Sequence, residues 1–204
     1  MYCAVEPAMI NIEAELYDKV ESEIQKWNEE GIYALSFLVD SNEAYEYRWF
    51  ENASMWTISY NTESDCDGAG LYDEERWNYA FWRQDEIPII SLEESDIYSE
   101  MLFDWYEENG ITNIGEEDSD EDYDEDGRYI GKGPVGHYEL LEIASNVGRK
   151  LQEEGVIEDH FGKPLPIIVH GLEYAWYDVE ATENANPGGE ADVFREAMER
   201  NGFV

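Results

Sequence analysis

Basic residues are scarce in this chain: 12 Lys and Arg stand against 50 Asp and Glu, a formal net charge of -38. A field of that sign repels phosphate backbones and anionic lipid headgroups, so neither nucleic acid nor a membrane is an expected partner. Cysteine is nearly missing. Cys3 and Cys66 are too few for a disulfide framework and have no metal or redox spacing, which points to a reducing cytoplasm. The opening residues lack a basic stretch followed by an apolar one, and no run of the chain approaches the length that spans a bilayer. Of the three histidines, His137, His160 and His170, no two have metal-ligand spacing. No G-x-S-x-G motif occurs, and neither cysteine sits beside a base in sequence. The expectation is therefore a binding protein with no catalytic residues, no metal and no cofactor.

Aromatic residues, by contrast, are abundant: seven Trp, fifteen Tyr and seven Phe. Disordered acidic chains lack the apolar surface that offsets chain entropy, so a folded core must hold this charge. Leu16, Val20, Ile24 and Trp27 recur at helical spacing ahead of Gly31, and predict a helix over residues 12–30. Residues 32–39, 45–49, 54–60 and 76–83 read as four successive strands with short connections, an antiparallel meander. A second helix, capped by Ser91 or Ser95, carries Ile97, Met101, Leu102 and Trp105; a third starts near Pro134 and runs through Leu151. Residues 164–170 predict a further strand, 172–178 its extension or partner, and 190–200 a last helix. The expected fold is α+β: one domain over residues 1–204, with an antiparallel sheet of five or six strands, four helices and a flexible acidic loop at 111–133.

Between residues 85 and 127 the chain has 18 acidic residues and no Lys or Arg. Like charges resist compaction, so the densest part, residues 116–126, is expected to be mobile or partly ordered. Asp122, Asp124, Asp126 and Gly127 match the first half of a calcium loop, but Gly133 stands where the bidentate Glu belongs, which argues against a specific site. Gly131, Gly133 and Gly136 spell G-x-G-x-x-G before a helix. No buried strand leads into them, and the acidic run would repel a pyrophosphate, so they read as a flexible exit into a Pro-started helix.

A protein that tolerates such self-repulsion lives in high salt, binds cations, or meets a positive partner. The expected partner is a basic protein. Glu116, Glu117, Asp118, Asp120, Glu121, Asp122, Asp124, Glu125 and Asp126 would supply the field, and Tyr47, Trp49 and Trp77 the aromatic anchors. Aromatics fall on both parities of the predicted strands, so either both faces of the sheet are covered or some rings are exposed. The alternatives are an acidic cation-binding or chaperone-like module, and an enzyme without recognisable motifs.

Residues 133–154 (GPVGHYELLEIASNVGRKLQEE), 161–174 (FGKPLPIIVHGLEY) and 183–194 (ENANPGGEADVF) resemble, in general layout, small acidic bacterial α+β proteins. Proteins of this kind include the immunity proteins of polymorphic and contact-dependent toxin systems. The resemblance implies a cytoplasmic inhibitor that binds a cognate toxin domain, commonly a nuclease with a basic cleft, by protein–protein contact. It carries over no individual binding residue.

Overall fold

The computed structural model describes residues 11–42, 44–117, 122–172 and 174–202. Cys3, Asp118, Asp120 and Glu121 lie outside these. The chain forms α1 (Ile12–Ile24), β1 (Ile32–Ser41), β2 (Glu46–Tyr47), β3 (Phe50–Glu51), β4 (Ser54–Thr62) and α2 (Glu74–Trp77). A 3₁₀ turn (Tyr79–Phe81), β5 (Ile87–Ile90), α3 (Ile97–Glu108) and α4 (His137–Glu153) follow, then α5 (Val156–Phe161), β6 (Ile167–His170), α6 (Trp176–Ala185) and α7 (Asp192–Asn201). The fold is α+β, as expected, but with seven helices among the described residues instead of four.

The main sheet has four strands in the order β5-β4-β1-β6, and β2-β3 form a separate ribbon. It is mixed, not antiparallel: β1 pairs antiparallel with β4 and parallel with β6. Helices α4 and α5 lie between β5 and β6 in the chain and return it for the parallel pairing, a connection no hairpin can make. The outer edge of β6 is closed by side chains. Asn186 accepts from the Ile167 amide at 2.9 Å and donates to the Ile167 carbonyl at 2.7 Å, while Thr182 both accepts from the Val169 amide and donates to its carbonyl. These amide and hydroxyl groups act as a missing strand and remove an open edge.

Residues 32–39 of β1 are buried throughout, because both faces of the sheet are covered. Leu35, Phe37 and Val39 face a core shared with α1, α3 and α4; Ala34 and Leu38 face a second core with Trp77, Trp82, Ile168, Phe194 and Met198. The alternation breaks once. A register shift between Ile32 and Ala34 lets Tyr33 join Ala34 on the second face, which accommodates an aromatic of the wrong parity.

Three predicted strands are corrected. Residues 76–83 form α2 and the 3₁₀ turn, because the polar ends of the rings need local partners: the Trp77 indole donates to the Leu71 carbonyl, the Trp82 indole to the Arg76 carbonyl, and Asn78 caps the turn by accepting from the Ala80 amide. Residues 45–49 contribute only the two-residue β2, turning back through Arg48 and Trp49 into β3. Of residues 172–178, Trp176 to Asp178 already belong to α6, where Asp178 accepts from the Gly171 and Ala175 amides; Glu173 lies outside the described residues. The cap of α3 is Asp96, not either serine; one carboxylate oxygen accepts from the Tyr98 amide and the other from the Ser91 amide. Helix α4 begins at His137, three residues beyond Pro134. No helix of the described residues is long and apolar enough to cross a membrane.

Candidate functional site

The ribbon β2-β3 is joined by a two-residue turn whose first central residue, Arg48, has φ +57°. Glycine is the usual occupant of such a position, since a Cβ there meets the following carbonyl at a cost of about 1–2 kcal/mol. The turn lifts Trp49 into solvent at 75 % exposure, the highest among the large apolar side chains of the described residues. Its ring packs on Phe50 at 5.4 Å, Phe50 on Phe103 of α3 at 5.5 Å, and Phe103 on Tyr106 at 5.5 Å. The Tyr106 hydroxyl donates to the Gly136 carbonyl at 2.7 Å. An unbroken aromatic series therefore runs from an exposed ring to the start of α4.

Beside this series lies a groove of about 430 Å³, lined by Trp49 and Phe50 from the ribbon, Phe103 and Tyr106 from α3, and residues 111–114. The segment 111–117 is held against the ribbon by backbone approach. At Gly115, φ +82°, an added Cβ would lie 1.9 Å from the Glu51 carbonyl oxygen, and Asn52 donates to the Gly115 carbonyl. Exposed Glu46, Glu51, Glu107, Glu108, Glu116 and Glu117 surround this part of the chain. The lining's basic residue, Arg48, is itself exposed, with its guanidinium 5.3 Å from the Tyr47 ring centre and 3.7 Å from Asp104.

The sequence-derived site residues separate by burial. Trp49 is a surface anchor, whereas Tyr47 at 5 % and Trp77 at 3 % exposure are core residues, which takes both off the surface a partner could touch. Tyr47 packs on Phe103 at 4.5 Å; Trp77 lies in the second core against Tyr33 and Phe194. Glu116, Glu117, Glu125 and Asp126 are exposed, and Asp122 and Asp124 half-buried. Asp124 holds the local backbone together. Its side chain accepts from the Asp126 and Arg128 amides at 2.9 and 2.8 Å, closing a turn flanked by the Tyr123–Tyr129 bridge. Among the described residues no group of three or more His, Cys, Asp or Glu is placed to hold a metal ion.

The three glycines are packed, not a flexible exit. The Gly131 amide donates to the Asp122 carbonyl, a Cβ on Gly133 would lie 2.9 Å from the His137 ring, and one on Gly136 would lie 3.3 Å from Tyr106.

Two serine–histidine pairs escaped the sequence reading because their partners are far apart in the chain. Ser36 Oγ lies 2.8 Å from His170 Nε2, and His170 Nδ1 donates to the Gly171 carbonyl; Ser54 Oγ lies 3.3 Å from His137 Nδ1. The tautomer of His170 suits acceptance of the Ser36 hydroxyl proton. All four residues are buried, however, and burial lowers both histidines to about 4. These pairs satisfy polar groups within the core.

The chain matches no protein-family model, and no curated protein or solved structure is similar to it.

Proposed function

We propose that this chain is an acidic binding protein that occupies the basic surface of a partner protein, and specifically an immunity-type inhibitor of a bacterial toxin domain whose cleft is built for phosphate. The observation that carries the reading is the exposed Trp49 standing beside an apolar groove within a strongly negative surface. An aromatic anchor in a ring of carboxylates matches an apolar contact ringed by Lys and Arg, and contributes short-range affinity where the field contributes encounter rate.

The distribution of cations supports this. Lys26, Arg48, Arg76, Arg83, Arg149, Lys150, Arg195 and Arg200 each pair with one of the protein's own carboxylates, so few positive groups compete for a partner's basic residues. The acidic surplus faces outward. Neutralising a toxin by this route needs no chemistry, only a surface that fills the cleft before phosphate can.

Co-expression with a basic toxin encoded beside the gene, followed by size-exclusion chromatography at about 0.15 M salt, tests the reading at the ionic strength where surface charge is already partly screened. The expected result is a one-to-one complex and suppressed toxicity. Separate elution with toxicity intact would overturn it.

A further inference from the structure

The groove and the charge around it narrow the class of partner surface. We infer that the groove beside Trp49 takes one large apolar side chain of the partner, presented between Lys or Arg neighbours, and that this contact rather than the acidic field sets selectivity. The inference rests on the basic-partner reading and specifies where and what that partner touches.

Three observations point the same way. The lining is aromatic and aliphatic at one end of the series Trp49, Phe50, Phe103 and Tyr106, and its size suits a bulky apolar group. The rim is acidic on balance: Glu107 lies in the lining itself, Glu116 and Glu117 follow Gly115 just beyond residues 111–114, and the lining's basic residue, Arg48, is paired with Asp104. An apolar group arriving between two cations meets complementary chemistry at its centre and on both flanks. A second copy of this chain is a poor occupant, since two bodies of charge -38 repel one another.

The third observation is the strain at Arg48. A residue other than glycine at φ +57° breaks a local preference, and it is where Trp49 is set out from the fold. Of the six non-glycine residues at positive φ among the described residues, Arg48 and Asn113 line the groove and Asn52 lies beside it, so such backbone gathers at this part of the surface. Arg48 itself shows what the rim accepts: its guanidinium lies over Tyr47 and 3.7 Å from Asp104 in an open ion pair, the arrangement a partner's Arg would adopt against the same acidic residues.

Two probes separate the apolar contact from the field: a pentapeptide of four lysines around a central leucine, and the same peptide with a central glycine. Each is titrated against the intact chain and followed by the amide and indole resonances of labelled protein. The leucine peptide should bind about tenfold more tightly, the equivalent of about 1.4 kcal/mol, and should shift the Trp49 indole. Trp49→Ala, which removes an exposed side chain, should abolish that preference while the glycine peptide binds as before. Thr112→Tyr, which adds bulk at the groove wall, should do the same. Equal affinity of the two peptides, or a preference that survives both substitutions, would overturn the inference and leave the basic-partner reading standing. Absence of binding by either peptide at low salt would overturn both.

Discussion

His170 sits at hydrogen-bond distance from a serine, with both residues buried in the core. Its ring is packed among Ser36, Tyr79, Tyr174 and the Gly171 carbonyl, with the Tyr79 and Tyr174 rings 5.0 and 5.7 Å away. Burial lowers its pKa from 6.5 to about 4, and does the same to His137, so each gains a proton more readily unfolded than folded. Stability from this source is fully present above pH 6.5 and is lost as pH falls through 4. Asp178 acts in the opposite sense. Burial raises it from 3.8 to about 7 against the two amides it accepts from, so its contribution is fully present below pH 3.8 and is lost as pH rises through 7. In the overlap, two histidines outweigh one aspartate by one proton, a slope of about 1.4 kcal/mol per pH unit. Urea denaturation between pH 5 and about 6 should show His170→Gln reducing the slope by about 1 kcal/mol per pH unit, whatever its effect on stability at pH 7. An unchanged slope would mean that His170 is protonated within the folded state.

At the scale of elements, the position of the ribbon β2-β3 matters most, because four residues of paired strand cannot hold themselves in place. The ribbon is fixed from outside, by Tyr47 and Phe50 on Phe103 and by the approach of Gly115 to Glu51. Glycine is needed at 115 for two reasons at once, the positive φ and the absence of room. Gly110 supplies the comparison: φ is +71°, yet nothing lies within 4 Å of an added Cβ. Gly110→Ala should therefore cost only the left-handed backbone penalty, about 1 kcal/mol. Gly115→Ala should cost at least about 1 kcal/mol more, since the backbone of the ribbon or of segment 111–117 must move. Denaturant titration measures the difference. Equal costs would show that the ribbon shifts freely, in which case the groove is not a preformed one.

For the whole molecule, the governing fact is charge. Ion pairs such as Arg83 with Glu29 and Asp65, or Arg76 with Glu63, join segments distant in sequence, but the carboxylates left over repel across the entire surface. Among the described residues of the acidic stretch, Glu116, Glu117, Glu125 and Asp126 are exposed, while Asp124 closes a turn. Neutralising Glu116, Glu117, Asp118, Asp120, Glu121, Glu125 and Asp126 with Gln or Asn, while keeping Asp122 and Asp124, should leave Tm level or raise it. Association with a basic partner should slow and depend less on salt, because exposed charges act through a field screened over about 8–10 Å at ordinary ionic strength. Stopped-flow association at two salt concentrations, beside a thermal melt, reads both effects. An unchanged association rate together with a lowered Tm would make the stretch a structural element.

By itself the sequence determined what is periodic or cumulative. Helices α1, α3, α4 and α7, strands β1 and β4 and the strand at β6 were legible because their apolar residues repeat at the spacing of the element, and the charge is a sum that no fold can change. Alternating aromatics at 76–83 misled for a physical reason: the Trp77 and Trp82 N–H groups each find an acceptor six residues earlier in the chain, and that short-range bonding goes with a helical and not an extended backbone. The parallel partner of β1 was not legible either, since nothing in residues 167–170 specifies which edge they join. Asn186 and Thr182 complete that edge from a helix distant in the chain from β1. Tyr47, Trp49 and Trp77 read alike as exposed anchors, and only the third dimension separated them, because burial depends on what packs above a residue and not on its neighbours in the chain. The groove belongs to the same class of fact. Its walls come from β2-β3, α3 and residues 111–114, pieces that meet because Gly115 allows two backbones to touch.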